Sequence, residues 1–225
     1  MTNAADDERV RVIHEAVTCS RRFGGNWFVV HMSPSAATVA AAADLLLLRS
    51  LGIHVAVVIP EREQAHREEA ATELRKALNT DDLAAVVMTW EETRAQDVAK
   101  PHPRRWQQVG ESSSLIVLVT CAEEGSLRAA LTLGVECSAA KLMLLDADWD
   151  PTMLPVGGPG APVPSPEQVR PYLAGLGPGC MAVVTAVEAV EAGIGEVHIL
   201  PTTGNAHPIL LEIFTQDGIG TWIGP

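Results

Sequence analysis

A few polar residues follow apolar runs, at places where a side chain could do acid–base chemistry. His31 ends a run near the N-terminus, Asp146 and Asp148 follow a run in the middle of the chain, and His207 stands near the C-terminus. Histidine titrates near neutral pH, and a carboxylate can orient it or act as a second acid or base. One interpretation is an enzyme with a rebuilt pocket that uses these groups. The other is structural: a strand-end histidine satisfied by a neighbour, and strand-end carboxylates that cap the next turn.

Strands and helices that alternate along the chain must position these residues. Residues 27–32, 53–59, 115–120, 141–146 and 196–200 form apolar runs of the kind buried inside a parallel sheet. Helical segments separate most of these runs, and consecutive parallel strands need such crossovers. The sequence therefore predicts an α/β fold, a three-layer αβα sandwich with a mostly parallel central sheet. Open sheets of this type bind ligands at the carboxyl ends of their strands, so we expect a ligand there.

The chain length favours one domain, residues 1–225, with three distinctive segments. Residues 6–22 carry apolar side chains at spacings of three and four, which predicts an amphipathic N-terminal helix. Residues 93–114 contain two prolines, a basic patch and a serine run, which predicts a linker or loop. Residues 150–165 are dense in glycine and proline, so we expect an ordered surface loop.

Composition excludes several classes of function. The net charge of −12 repels nucleic acid and anionic lipid, so we expect neither partner. Cys19, Cys121, Cys137 and Cys180 are far apart without a CxxC pair, which indicates buried thiols of a reducing compartment and no metal site. The N-terminus lacks a signal-peptide pattern, and no apolar run reaches the ~18 residues of a membrane span. We therefore expect a cytoplasmic protein.

Residues 193–223 contain the words EVHIL, AHPILLEIF and DGIGTWI in that order. They resemble the C-terminal segment of N-acetylglutamate kinases, members of the amino-acid kinase family that read roughly VHILDGR, PHALLLELFT and GIGT. Residues 24–32 and 43–54 resemble the family's first strand and first helix. Residues 79–88 resemble its TD-plus-helix segment, and residues 139–148 its AEKLILLTD strand. The resemblance touches both ends and the middle of the chain, and it implies the amino-acid kinase fold.

The phosphate-binding turns of that family are replaced here. The resemblance places His31 where the family has a lysine, and Ser33 and Pro34 where it has two glycines. Proline has no N–H to donate, so this turn cannot hold a phosphate as the family does. Glu61 and Glu63 stand where a second glycine-rich turn should face the phosphates, so repulsion replaces attraction.

Other parts of the kinase site are missing too. No lysine follows Lys141, Ala182 or a neighbour occupies the second lysine's place, and only Asp146 or Asp148 fits the family's acidic position. We therefore predict a catalytically silent homologue that needs no cofactor. The alternative is a divergent kinase that phosphorylates a carboxylate, with ATP, Mg²⁺ and cations from residues 104–105 or a partner chain.

The resemblance also implies an arginine-like ligand. In arginine-regulated relatives the counterparts of His198, Glu212 and the backbone from Gly218 to Gly220 help hold arginine, and a carboxylate pairs strongly with a guanidinium. In this chain one extra residue precedes the AHPILLEIF segment, and PTT stands where those relatives have DGR. The other interpretation is that these residues only end the strand and helix correctly.

From this resemblance we predict a ligand-binding, regulatory or scaffold subunit linked to arginine or related amino-acid metabolism. Hexameric relatives join through an N-terminal helix, so we expect a homo-oligomer, a small amino-acid ligand and a partner enzyme of amino-acid metabolism. The other interpretation of the N-terminal helix is that it packs only on its own domain.

Overall fold

The computed structural model describes residues 4–32, 39–60, 69, 72–73, 75–78, 84–89, 115–121, 125–176, 181–204, 207–215 and 218–225. The helices are α1 (Ala4–Phe23), α2 (Val39–Ser50), α3 (Ser126–Glu136), α4 (Pro166–Leu173), α5 (Met181–Glu191) and α6 (Pro208–Phe214). The strands are β1 (Trp27–Met32), β2 (His54–Pro60), β3 (Ala84–Thr89), β4 (Leu115–Cys121), β5 (Lys141–Asp146), β6 (Glu196–Pro201) and β7 (Thr221–Ile223). A short 3-10 helix, Pro151–Met153, lies between β5 and α4.

The described strands form one sheet in the order β3-β4-β2-β1-β5-β6-β7. Every neighbouring pair is parallel except β6 and β7, which are antiparallel. The carboxyl ends of six strands therefore lie together at one end of the sheet, called the carboxyl edge, and their amino ends lie together at the opposite end. A six-residue strand separates these two ends by about 20 Å.

Two apolar cores cover the two faces of the sheet. Helices α1, α2 and α6 pack on one face, where Phe28, Leu45 and Ile209 are fully buried. Helices α3, α4 and α5 pack on the other face, where Val29, Leu133 and Val183 are fully buried. Alternate residues of β1 enter opposite cores because successive side chains of a strand point to opposite faces. This arrangement confirms the predicted three-layer αβα sandwich.

Helix α4 begins with the capping box that its sequence contains. The Ser165 side chain caps the third helical residue, and the Gln168 side chain accepts the backbone N–H of Ser165 at 2.9 Å. Reciprocal bonding of this kind satisfies two backbone donors that the first turn of a helix leaves free. The Pro- and Gly-rich segment that precedes it is thus connected firmly to the helical layer.

One expectation from the resemblance is wrong. Residues 79–88 were expected to contain a helix, but residues 84–89 are strand β3, which pairs in parallel with β4. The sequence of this stretch, AAVVMT, contains two adjacent valines, and β-branched residues favour strands over helices.

Candidate functional site

The buried ionisable side chains concentrate at the amino ends of β5 and β6. Lys141 and Glu196 each open a strand and occupy paired positions in the sheet. Their side chains point toward α1 and α6, and they form an ion pair in which Lys141 Nζ donates to Glu196 Oε2. The exposed fractions are only 7% for Lys141 and 12% for Glu196, so both charges lie inside the protein.

His198 connects this pair to Glu212 on α6. His198 Nε2 lies 3.1 Å from Lys141 Nζ, and His198 Nδ1 lies 2.6 Å from Glu212 Oε1. Glu212 Oε2 accepts the backbone N–H groups of Ile219 and Gly220 at 2.8 and 2.9 Å. Lys141, Glu196, His198 and Glu212 are called the buried ionic cluster below.

Two aromatic rings enclose the buried ionic cluster. Trp222 stacks on His198 with ring centroids 5.2 Å apart and an interplanar angle of 19°. Lys141 Nζ lies 5.6 Å from the Trp222 ring and 5.0 Å from the Phe23 ring. A cation near an aromatic face is stabilised by the ring quadrupole. The indole Nε1 of Trp222 is buried and has no hydrogen-bond partner in the described ranges.

The electrostatic environment keeps both carboxylates of the cluster ionised. Burial alone would raise the pKa of Glu196, but His198 and the positive charges of Lys141 and Arg22 lower it to about 2. Burial opposes ionisation of Glu212 as well, yet bonding to His198 and to two backbone N–H groups lowers its pKa below the usual range. Burial lowers the pKa of Lys141, and the two carboxylates offset part of that effect.

Arg22 reaches this cluster from the last turn of α1. Its Nη2 donates to Glu196 Oε1 at 2.5 Å, while 61% of its side chain stays exposed. Its guanidinium also lies 4.7 Å from the Phe23 ring, so the arginine runs across the edge of the cluster. Glu196 thus has one buried cationic partner and one that extends into solvent.

The carboxyl edge of the sheet carries a different and smaller polar contact. His31 Nε2 lies 2.9 Å from the Ser126 hydroxyl at the start of α3. Burial lowers the pKa of His31 to about 4, so its imidazole is neutral at pH 7. A neutral histidine adds no positive charge at the place where the family has a lysine.

The acidic candidates take part in local structure. Asp146 Oδ1 accepts the backbone N–H of Asp148 at 2.9 Å, and this bond shapes the turn after β5. His207 Nδ1 lies 2.6 Å from Asp44 Oδ1 on the opposite face of the sheet from His31. Asp44 is fully buried and also accepts the backbone N–H groups of Ile209 and Leu210.

The acid–base candidates therefore do not converge on one pocket among the described residues. His31 contacts α3 on one face, Asp146 bonds within its own turn, and His207 contacts α2 on the other face. Ser33 lies outside the described residues, as do Pro34, Glu61 and Glu63. Ala182, at the aligned place of the second lysine, is buried in α5.

The expected ligand residues are brought together along β6. His198, Glu212 and the Gly218–Gly220 backbone form one contact network. His198 lies in the middle of β6 and Gly220 lies beside Leu200 near the carboxyl end of this strand, whereas the Lys141–Glu196 pair marks the amino ends of β5 and β6. The network extends through Glu212, which reaches from α6 to the backbone before β7.

Sequence reasoning missed Arg22, Lys141, Glu196 and Trp222 as members of this site. Lys141 and Glu196 are 55 residues apart, and Arg22 and Glu196 are 174 apart. A detectable signal was present, because a charged residue opens each of two largely apolar buried strands. Charged side chains are almost never fully buried unless they are paired.

Among the residues that the structure describes, no cluster of three or more histidine, cysteine, aspartate or glutamate side chains could hold a metal ion. None of the described helices is both long and apolar enough to cross a membrane. Cys19 and Cys137 are buried free thiols; the side chains of Cys121 and Cys180 lie outside the described residues.

Several curated proteins and many solved structures are similar to this chain. An amino-acid acetyltransferase from Pseudomonas fluorescens is 28% identical over 187 residues, which cover 81% of this chain. The chain spans about a third of the length of that relative, since the match covers 36% of it. No protein-family profile matches the sequence.

The structural neighbours share the fold at low sequence identity. The protein smu.665 from Streptococcus mutans UA159 superposes with a TM-score of 0.52 and 13% identity, covering 78% of this chain and 94% of its own. Uridylate kinase from Archaeoglobus fulgidus superposes with a TM-score of 0.51 and 12% identity, covering 88% of this chain and 99% of its own.

The chain therefore has an amino-acid kinase-like fold, as the sequence predicted. Neither structural neighbour is named an N-acetylglutamate kinase, so that finer resemblance stays a prediction.

Proposed function

We propose that this chain is a catalytically silent, amino-acid-kinase-like domain that binds a small cationic amino acid, with arginine as the first candidate. The observation that carries the proposal is the 2.6 Å contact between His198 and Glu212, made inside a cluster that also holds Lys141 and Glu196. The resemblance alone suggested His198 and Glu212 as ligand residues.

The chemistry of the cluster suits an amino acid with a cationic side chain. Glu196 and Glu212 are the acceptors that a guanidinium or ammonium group needs. Lys141 is a cation that can attract the carboxylate of the same ligand. Trp222 offers a ring face next to the cluster, and planar guanidinium groups stack well on aromatic rings.

The residues near the carboxyl edge of the sheet support the proposal that this domain does not transfer phosphoryl groups. A kinase must place cations and backbone donors around the transferred phosphate. His31 is uncharged at pH 7 and faces Ser126, and Ala182 is buried in a helix. Removing even two groups worth several kcal/mol each would leave little phosphoryl transfer, since each ~1.4 kcal/mol is tenfold in rate.

A role in amino-acid metabolism is supported by the curated relative, whose name is amino-acid acetyltransferase. Because this chain matches about a third of that protein, its acetyl transfer is not assigned to this chain. We propose a regulatory or scaffold role beside a partner enzyme that acts on amino acids, in a cytoplasmic setting.

We also propose that the domain is a homo-oligomer in which α1 contacts a second copy. Val10, Ile13 and Val17 are 66%, 64% and 44% exposed and lie at spacings of three and four, so they form a stripe on one side of α1. Two copies of the same helix can bury such a stripe against each other around a two-fold axis.

Isothermal titration calorimetry with L-arginine tests the ligand proposal. We expect saturable binding at one site per chain. Glu212→Gln should weaken the binding of L-arginine strongly, whereas Glu167→Gln, at an exposed position of α4, should change it little. L-citrulline is the matched ligand control, because it keeps the shape of arginine without the positive charge. Equal binding of the two ligands, or an unchanged affinity in the Glu212 variant, would refute this site.

The kinase alternative is tested separately by incubation with ATP, Mg²⁺ and N-acetylglutamate. We expect no phosphoryl transfer above the level of an enzyme-free sample. Turnover comparable to that of an ordinary kinase would support the divergent-kinase alternative instead.

A further inference from the structure

Arg22 already places a guanidinium group against the buried ionic cluster. Its Nη2 bonds Glu196 Oε1, while Lys141 Nζ occupies the other oxygen, Oε2. A second guanidinium that approached Glu196 Oε1 from solvent would therefore meet Arg22 at the same oxygen.

The charges of the cluster leave room for one further cation. Glu196 and Glu212 contribute two negative charges, and Lys141 contributes one positive charge. One formal negative charge remains from these three side chains, and the guanidinium of Arg22 balances it. A cationic ligand would balance it equally well, so the ligand and Arg22 are alternatives at the same carboxylate.

Arg22 is suited to being displaced. Its side chain is 61% exposed and comes from the last turn of α1, whereas Lys141 is 7% exposed. An exposed arginine recovers full hydration when it leaves its partner, so its departure costs little. Glu196 keeps its bond to Lys141 through Oε2 when Arg22 leaves, and the vacated Oε1 can then accept the guanidinium of a ligand.

We propose that Arg22 is an internal competitor of the ligand: it occupies the guanidinium position at Glu196, and the incoming ligand must displace it. This inference rests on the proposed function, because it presupposes a cationic ligand at the cluster. Arg22 then sets the ligand concentration at which the site fills. Displacement also releases one of the contacts that hold the end of α1, so occupancy is coupled to the anchoring of that helix.

The decisive test compares L-arginine affinity, measured by calorimetry, in the wild type, Arg22→Ala and Arg22→Gln. Arg21→Ala is the matched control, because Arg21 lies in the same helical turn and its loss changes the net charge equally. We expect both Arg22 variants to bind L-arginine at least tenfold more tightly than the wild type. The Arg21 variant should bind with wild-type affinity.

A second readout follows the helix itself. In the wild type, saturating L-arginine should speed hydrogen exchange of the backbone amides at 19–23, while in Arg22→Ala it should leave that exchange unchanged.

The remaining outcomes separate the competition by Arg22 from the proposed arginine site. If the wild type binds L-arginine and the Arg22 variants bind equally or more weakly, competition is refuted and the proposed function stands. If neither the wild type nor the variants bind, both are refuted. If both Arg22 variants fail to fold, competition is also refuted, because a side chain that the fold requires cannot be displaced by a ligand.

Discussion

Lys141 and Glu196 stand at paired positions on two adjacent parallel strands and form an ion pair inside the protein. Each residue opens its strand, so the sheet register itself places the opposite charges side by side. The pair connects α1, through Arg22, with α6, through His198 and Glu212. The buried ionic cluster thus joins helices α1 and α6 to the sheet. Its Lys141–Glu196 pair lies at the amino ends of the strands, opposite the end at which His31 contacts Ser126.

Lys141 and Glu196 should be energetically coupled, so that removing both costs less than the sum of the two single losses. Lys141→Met or Glu196→Gln alone leaves a buried group without its partner, and we expect each to lower the free energy of unfolding by about 3 kcal/mol or more. In the double variant the losses should be clearly less than additive. Urea denaturation measures all three.

The exposed pair Arg128–Glu188 is the control, because its side chains are 75% and 48% exposed. Its single substitutions should stay within about 0.5 kcal/mol of the wild type. Strict additivity at Lys141 and Glu196 would contradict the buried coupling.

His31 should make the fold sensitive to mild acid. Its pKa is about 4 in the folded protein and 6.5 for an ordinary histidine, so between these values the unfolded chain binds a proton that the folded chain does not. Stability therefore falls as the pH drops from about 6.5 to 4, by up to about 3 kcal/mol.

His31→Gln keeps a polar side chain near Ser126 but cannot titrate, so it should flatten the stability profile in this window. Part of the slope should survive in this variant, because burial and Arg49 also lower the pKa of His54. An unaltered profile in His31→Gln, measured by thermal unfolding across the window, would contradict a buried neutral imidazole.

Gly220 should tolerate no side chain. A Cβ there would lie 2.5 Å from the backbone oxygen of Ile199 and 2.6 Å from Leu200 Cδ2, closer than any relaxed contact. We expect Gly220→Ala to destabilise the protein by about 1–3 kcal/mol, since the backbone must move.

Gly158→Ala is the matched control, because a Cβ there meets nothing within 4 Å and its φ is outside the left-handed region. It should be neutral or slightly stabilising. Equal melting temperatures for the two variants would show that close approach is not the reason for glycine at 220.

The exposed stripe of α1 should control oligomeric state. Ile13→Asp places a charge in the middle of the stripe, so we expect it to reduce the mass of the particle measured by light scattering after size exclusion. Met153→Asp is the control, since Met153 is 55% exposed and its neighbour Leu154 belongs to the core on the face of the sheet opposite α1. A wild-type protein that is already monomeric at high concentration would contradict the proposed contact.

The fold was largely predictable because apolar runs and helical segments alternate along the chain. Val57 and Val58 illustrate why: both are fully buried in β2, as expected where helices cover both faces of a sheet. Residues 84–89 were misassigned because the resemblance outweighed their own strand propensity. Periodicity in a short apolar run cannot separate the two states, so only the pairing with β4 decides.

The site was predictable only in part. His198 and Glu212 were expected together because they lie in one continuous segment that resembles a known family. Arg22 and Glu196 were missed because a contact across 174 residues depends on how α1 packs and on the register of β6. Neither the packing of α1 nor the register of β6 can be deduced from a local sequence pattern.

The central claim is tested most directly by a crystal structure of the protein grown with L-arginine. We expect arginine with its guanidinium within hydrogen-bond distance of Glu196, beside Trp222, and with Arg22 turned away. Arginine bound instead at the carboxyl edge, near His31 and Asp146, would contradict it.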